Sequence, residues 1–167
     1  MIELSAKTYE IPKLLTREAE RIWHQGIEDA LDVMADIVLG KAKKYAPVDS
    51  GRLRNGLFVE LPEGRRGGVR FVTSPSPYAY VMEHGRKPGG KWPPEAPISL
   101  WVRRQLGIPP EDPRHASAVY FLRRKIAKQG IQPRAFFQLA ADFGNEEARR
   151  VFDRAMRHVG RKLERRA

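Results

Sequence analysis

Apolar residues recur along the first third of the chain at Ile22, Trp23, Ile27, Ala30, Leu31, Met34, Ile37, Val38, Ala42 and Tyr45. Steps of three and four draw one continuous stripe on a helical cylinder. Glu28, Asp29, Asp32 and Asp36 fall mainly off that stripe. Thr16 can cap the helix, and Glu18 and Glu20 sit in its first turn, where the helix dipole favours acids. Lys41, Lys43 and Lys44 occupy the last turns, and Pro47 stops the helix because the residue before a proline avoids the helical region. A helix this long is expected to span one face of the domain, with Ile22, Trp23, Ile27, Leu31, Met34 and Val38 turned inward.

Beyond Pro47 the period changes. Leu57-Phe58-Val59-Glu60-Leu61 and Val69-Arg70-Phe71-Val72-Thr73 are short β-rich runs on either side of a Gly-containing stretch, which predicts a hairpin on which the helical stripe packs. Tyr78-Ala79-Tyr80-Val81-Met82-Glu83-His84-Gly85 is short enough to be either a strand or one to two helical turns. Residues 86–97 hold four prolines and two glycines, which predicts an exposed loop. Helices are expected from Ile98 to Leu106, from Pro113 to Gln129 with Gly130 as C-cap, and from Asn145 onward; 131–137 reads as extended. The order predicts an α+β fold: a long N-terminal helix on a small antiparallel sheet, with further helices in the C-terminal half. The expected organisation is one domain over 1–167, with 86–97 as loop and 98–130 as a helical insertion.

Composition narrows the chemistry. The chain has 167 residues and no cysteine, which excludes disulfides and thiolate chemistry. Residues 1–15 lack the apolar run of a secretory signal, and no stretch approaches a membrane helix, so a soluble protein without membrane contact is expected. The 31 Lys and Arg against 20 Asp and Glu give a net charge of +11. That excess is densest in the C-terminal segment, at Arg149, Arg150, Arg154, Arg157, Arg161, Lys162, Arg165 and Arg166, and no aromatic residues interleave there to stack on bases. A solvated surface or an acidic partner accounts for it, and non-specific nucleic-acid binding is the alternative function.

Candidate catalytic groupings are weak. His24, His84, His115 and His158 fall in different elements without metal-ligand spacing, so satisfied or exposed histidines are expected. Asp49-Ser50-Gly51 lacks the strand-turn-helix surroundings of a nucleophile and reads as turn chemistry. Glycines and a lysine within 85–90 lack P-loop spacing. No enzyme activity and no cofactor is expected.

Three segments carry a resemblance. The first is Lys43 to Gly56, centred on Ala46-Pro47-Val48-Asp49-Ser50-Gly51-Arg52-Leu53-Arg54; the second, Tyr78 to Gly85; the third, Gln132-Pro133-Arg134-Ala135-Phe136-Phe137 followed by Ala140. In order and spacing they resemble signatures of small phage neck and tail-completion proteins, the group that includes the minor tail protein Z of lambda-like phages and its head–tail joining relatives. Arg86 stands where that family usually has threonine, and Ala135 where a second proline is common. The resemblance implies a virion protein that forms a hexameric or dodecameric homo-oligomeric ring in the neck or at the tail end. It would lie between portal, adaptor or head-closure proteins and the tail terminator or tail tube, with DNA passing non-specifically through the lumen. The candidate subunit or partner contacts are Arg52, Arg54, Arg86, Lys87, Lys91, Trp92 and Arg134.

Overall fold

The computed structural model describes residues 2–5, 17–61 and 68–165. The expected cap Thr16 and most of the hairpin connection lie outside them. The elements run β1 (Ile2–Ser5), α1 (Arg17–Tyr45), α2 (Arg52–Asn55), β2 (Phe58–Glu60), β3 (Val69–Thr73), α3 (Pro77–His84), α4 (Glu95–Leu106), α5 (Arg114–Gln129) and α6 (Phe136–Glu164). The architecture is the expected α+β one. The chain divides into two compact units, one made of 1–46, 54–75 and 136–167, the other of 47–53 and 76–135.

In the first unit β2 and β3 form the antiparallel hairpin, with Val59 opposite Val72. The sequence reading missed β1, which pairs antiparallel on the other side of β3 and gives the order β1-β3-β2. The long helix holds Ala30, Leu31, Ala35, Val38 and Ala42 fully inside. Its main partner, however, is α6 rather than the hairpin. Length explains the correction. Twenty-nine helical residues extend about 43 Å, whereas a five-residue strand covers about 17 Å. Only another long helix can cover such a stripe.

That helix is α6, and it starts at Phe136, nine residues before the expected Asn145. Phe136, Phe137, Ala140, Gly144 and Ala148 are buried at steps that continue the apolar face backwards. Burying each Phe contributes about 1.5–3 kcal/mol, more than the ~1 kcal/mol an asparagine cap supplies, so Asn145 ends up exposed inside the helix. The residue just before it, Ala135, has φ 46°. A proline there, as is common in the resembled family, is barred because its ring fixes φ near −65°.

The two helices run antiparallel, with Gly26 against Val159 and Val38 against Gly144; the long side chains of Lys41 and Glu147 also pair between them at 3.0 Å. A Cβ at Gly26 would sit 2.2 Å from Val159 Cγ2. The small residue is what lets the helices approach.

Arg70 ties the sheet to α1. Strand alternation places Arg70 and Val72 on one face, and both are buried. The guanidinium donates to Asp32 Oδ1 and Glu28 Oε2, each at 2.5 Å, and to the Val69 carbonyl at 3.1 Å. Glu28 and Asp32 are one helical turn apart, so both reach the same arginine. Burial lowers the arginine pKa, and the two carboxylates more than reverse the effect.

The second unit buries Leu53, Ala79, Met82, Val102, Val119 and Ala127. The octet that could have been strand or helix is α3, with Pro77 opening its first turn. The loop is shorter than expected, because α4 begins at Glu95; Pro97 is tolerated in a first turn whose N–H groups need no helical acceptor. Gly130 caps α5 as expected. Among the described residues, no helix is long and apolar enough to cross a membrane.

The helix seam and the ion-pair cluster each set a measurable expectation about stability. Gly26→Ala should destabilise the protein by about 1 kcal/mol net, as overpacking against Val159 exceeds the gain in helix propensity. Gly160→Ala, whose Cβ meets nothing within 4 Å, should stabilise it by up to about 1 kcal/mol. Urea denaturation reads both, and equal effects would contradict the close approach. The cluster should respond asymmetrically. Arg70 is 4% exposed, while Glu28 and Asp32 are 30% and 59% exposed. Removing both acids (Glu28→Ala with Asp32→Ala) strands a buried cation and should cost about 3 kcal/mol; Arg70→Met leaves two hydrated carboxylates and should cost about 1 kcal/mol or less.

Candidate interaction surfaces

The three signature segments are most fully explained by the second unit. Pro47 begins the first segment's turn, and Gly51 takes φ 79° there. Turn chemistry of the kind the sequence implies would have both Asp49 and Ser50 accept from backbone amides. Only Ser50 does so, its Oγ accepting from Arg52 N–H at a long 3.4 Å. Asp49 instead accepts from Arg104 at both carboxylate oxygens and from Gln105 Nε2 at 2.8 Å. Side-chain bonding from Arg104 holds the Asp49 carboxyl below its ordinary pKa. Burial, with the nearby Asp49 charge, raises the phenol of Tyr78, the first residue of the second segment.

The second and third segments are joined by backbone. Arg86 N–H donates to the Ile131 carbonyl at 2.8 Å, Ile131 N–H to the Arg86 carbonyl at 2.9 Å, and Arg134 N–H to the Met82 carbonyl at 2.7 Å. A side chain at Gly85 would put its Cβ 2.6 Å from the Ile131 oxygen, and one at Gly130 would lie 2.0 Å from the Arg86 oxygen. Both glycines also have positive φ, 73° and 74°. Space and conformation therefore each require glycine at these positions.

Along the loop, Gly89 N–H bonds the Ala127 carbonyl at 2.8 Å. Arg123 donates to the Pro93 carbonyl at 3.0 Å and pairs with Glu95 at 2.7 Å. The same guanidinium lies 5.5 Å from the Trp92 ring centre, and Trp92 meets Tyr120 at 5.4 Å. Trp92 is thus held against α5 on one side and open on the other. Lys87, Lys91 and Arg134 are exposed, and Arg86 is half-buried. These five candidates share the second unit. Arg52 and Arg54 are exposed on α2, which the division between units crosses.

Histidine chemistry is spent on structure where it is buried. The Ile108 carbonyl can only accept, so His115 Nδ1 carries the proton and donates to it at 2.8 Å. Nε2 then accepts from Ser99 Oγ at 2.8 Å. In the first unit, a groove of about 870 Å³ opens between the start of α1 and the end of α6, lined in part by Arg21, His24, Glu28, Asp29, His158 and Lys162. The fold brings His24 and His158 to one groove, which their sequence separation concealed. Among the described residues, no three His, Cys, Asp or Glu side chains group as a metal site.

Sequence reading also missed the aromatic surface of α5, where Tyr120 and Phe121 are exposed and meet at 5.6 Å between ring centres. The signal was present for Phe121 alone, which falls off the apolar positions Ala116, Val119, Tyr120, Leu122, Ile126 and Ala127; Tyr120 counts among those positions and is nonetheless half exposed.

Acid should expose one further feature of this unit. Hydrogen bonds from the Arg114 side chain and then its backbone N–H lower Asp112 to about 2, against about 3.9 in an unfolded chain. A depressed carboxylate contributes stability that is complete above the unfolded value and is lost as pH falls towards the folded one. Asp112→Asn should therefore melt below the parent at pH 6 and converge with it near pH 2. A constant difference in Tm across that range would contradict the bond.

No curated protein and no solved structure gives a significant match to this chain. One family model does match, described as "Bacteriophage HK97-gp10, putative tail-component", over residues 11–85. The match takes in the long helix, the hairpin and the first two signature segments, and it ends before the third. Over residues 11–85, a little under half of its length, the chain is similar to this phage tail-component family.

Proposed function

We propose that this chain is a structural, non-enzymatic virion protein that joins head to tail in a tailed bacteriophage, in the neck or as a tail-completion ring around the DNA channel. The observation that carries the reading is the family match, whose range ends at Gly85, the last residue of the second signature segment. The locked geometry of the segments supports it. Asp49 and Gly85 are committed to holding backbone and side chains in place, which is an architectural use of a signature.

The chain would act as one functional domain, with α4 and α5 as a helical insertion and the partner contacts on the segments that flank it and on α2. Arg52, Arg54, Arg86, Lys87, Lys91, Trp92 and Arg134 are the proposed contacts with neighbouring subunits, with portal or head-closure proteins, or with tail terminator and tube. Arg and Trp held rigidly at a surface are the residue types that dominate binding energy at protein interfaces. DNA in the lumen would be met through charge alone, without base readout.

The test is complementation. In a phage that encodes this chain, a nonsense mutation in its gene should leave DNA-filled heads and tails unjoined in electron micrographs, and the full chain supplied in trans should restore particles. Supplying Lys87→Glu/Lys91→Glu/Trp92→Ala, folded by circular dichroism, should lower the titre at least about tenfold. Normal particles without the chain would overturn the reading, and full rescue by the triple variant would remove these residues from it.

A further inference from the structure

Two solvent-facing helical rows share one spacing and have opposite charge. On α1 the row is Asp29, Val33, Asp36 and Gly40; on α5 it is Ser117, Phe121, Arg124 and Lys128. Steps of four, three and four keep each row on one line of its helix. Each carries an exposed apolar residue at its second position, Val33 at 46% and Phe121 at 61% exposure. Acids flank the valine, and cations come after the phenylalanine.

We infer that the α5 row of one copy of this chain docks on the α1 row of another. Self-contact of like rows is disfavoured. Two α5 faces would oppose Arg124 and Lys128 to themselves, and two α1 faces would oppose Asp29 and Asp36. Pairing α5 with α1 in parallel instead sets Phe121 on Val33 and Arg124 on Asp36, with Ser117 facing Asp29 and Lys128 facing Gly40 beside the acid. Gly40 helps, since the space around it is open and a long side chain such as Lys128 can lie across it. Asp29 already accepts from Gln25 Nε2 at 2.7 Å, a bond on the same exposed surface that leaves its other oxygen available. The second unit as a whole carries twelve Lys and Arg against five Asp and Glu, so its outward face calls for an acidic occupant. The contact joins different faces, which makes it heterologous: it propagates from copy to copy until a rotation closes it. One helix pair buries less than the ~1,200 Å² of a stable interface, so the isolated contact is weak and needs a sensitive readout.

The absence of cysteine supplies one. Full-length Val33→Cys mixed with full-length Phe121→Cys, treated with a short bismaleimide, should couple at least about tenfold faster than either variant alone. Adding Arg124→Glu/Lys128→Glu to the Phe121→Cys chain should abolish that advantage. Adding Asp29→Lys/Asp36→Lys to the Val33→Cys chain as well should restore it. All six positions are exposed, and circular dichroism checks that each variant folds. Equal coupling in mixed and unmixed samples, no loss on charge reversal, or no recovery on the double exchange would each overturn the inference. So would loss of DNA affinity on Arg124→Glu/Lys128→Glu with coupling unchanged, which would assign the α5 face to nucleic acid. The result stands apart from the phage reading: a chain that fails here can still be required for joining heads to tails, and one that couples as expected can be dispensable for it.

Discussion

The close approach of α1 and α6 sets most of what the first unit can be. Two 29-residue helices in contact along their length bury an apolar face that the three short strands could not cover. That contact depends on size rather than on hydrophobicity alone. Gly26 admits Val159, Gly144 admits Val38, and the alanines at 30, 35, 42, 140 and 148 keep the backbones near. Larger side chains would increase the transfer energy of each residue while holding the helices apart, and the dispersion contacts of the whole seam would weaken. The sheet is then attached from the side, through Arg70 reaching two carboxylates on consecutive turns of α1.

The second unit is held by different physics. Its buried apolar side chains are few and its connections are long, so backbone pairing and charge-assisted bonds do more of the work. The Arg86–Ile131 bridge ties two connections together, and the Asp49–Arg104 pair and the Arg123 cluster under Trp92 each tie a loop to a helix. Hydrogen bonds of this kind contribute about 1 kcal/mol each, less than the burial of a large side chain. They fix position more than they add stability, so Trp92 is held in one place while Lys87 and Lys91 stay exposed.

Charge is distributed to match. Asp29, Asp32 and Asp36 are exposed along the middle of α1, and the cations of the second unit outnumber its acids by more than two to one. A chain with this arrangement repels itself in some orientations and attracts itself in others, which selects a directional contact over a symmetric one. The virion reading and the directional contact are separate conclusions that happen to ask for the same geometry.

Local signals in the sequence determined the elements. The stripe from Ile22 to Tyr45 gave α1, the short β-rich runs gave β2 and β3, and Gly130 marked the end of α5, because periodicity and capping act within a few residues. The signature segments were legible in the same way, as was their likeness to a phage family. Tertiary structure decided the rest. It assigned α6 to the stripe that the hairpin was expected to cover, and started that helix at Phe136, because burying two phenylalanines outweighs a local cap. It sent Asp49 to Arg104, 55 residues away, in place of a nearby amide, and placed Arg70 inside between Glu28 and Asp32. It also added β1, whose partner strand lies more than 60 residues along the chain. Each of these outcomes rests on a pairing between distant residues, and such pairings leave no period in the sequence by which to read them.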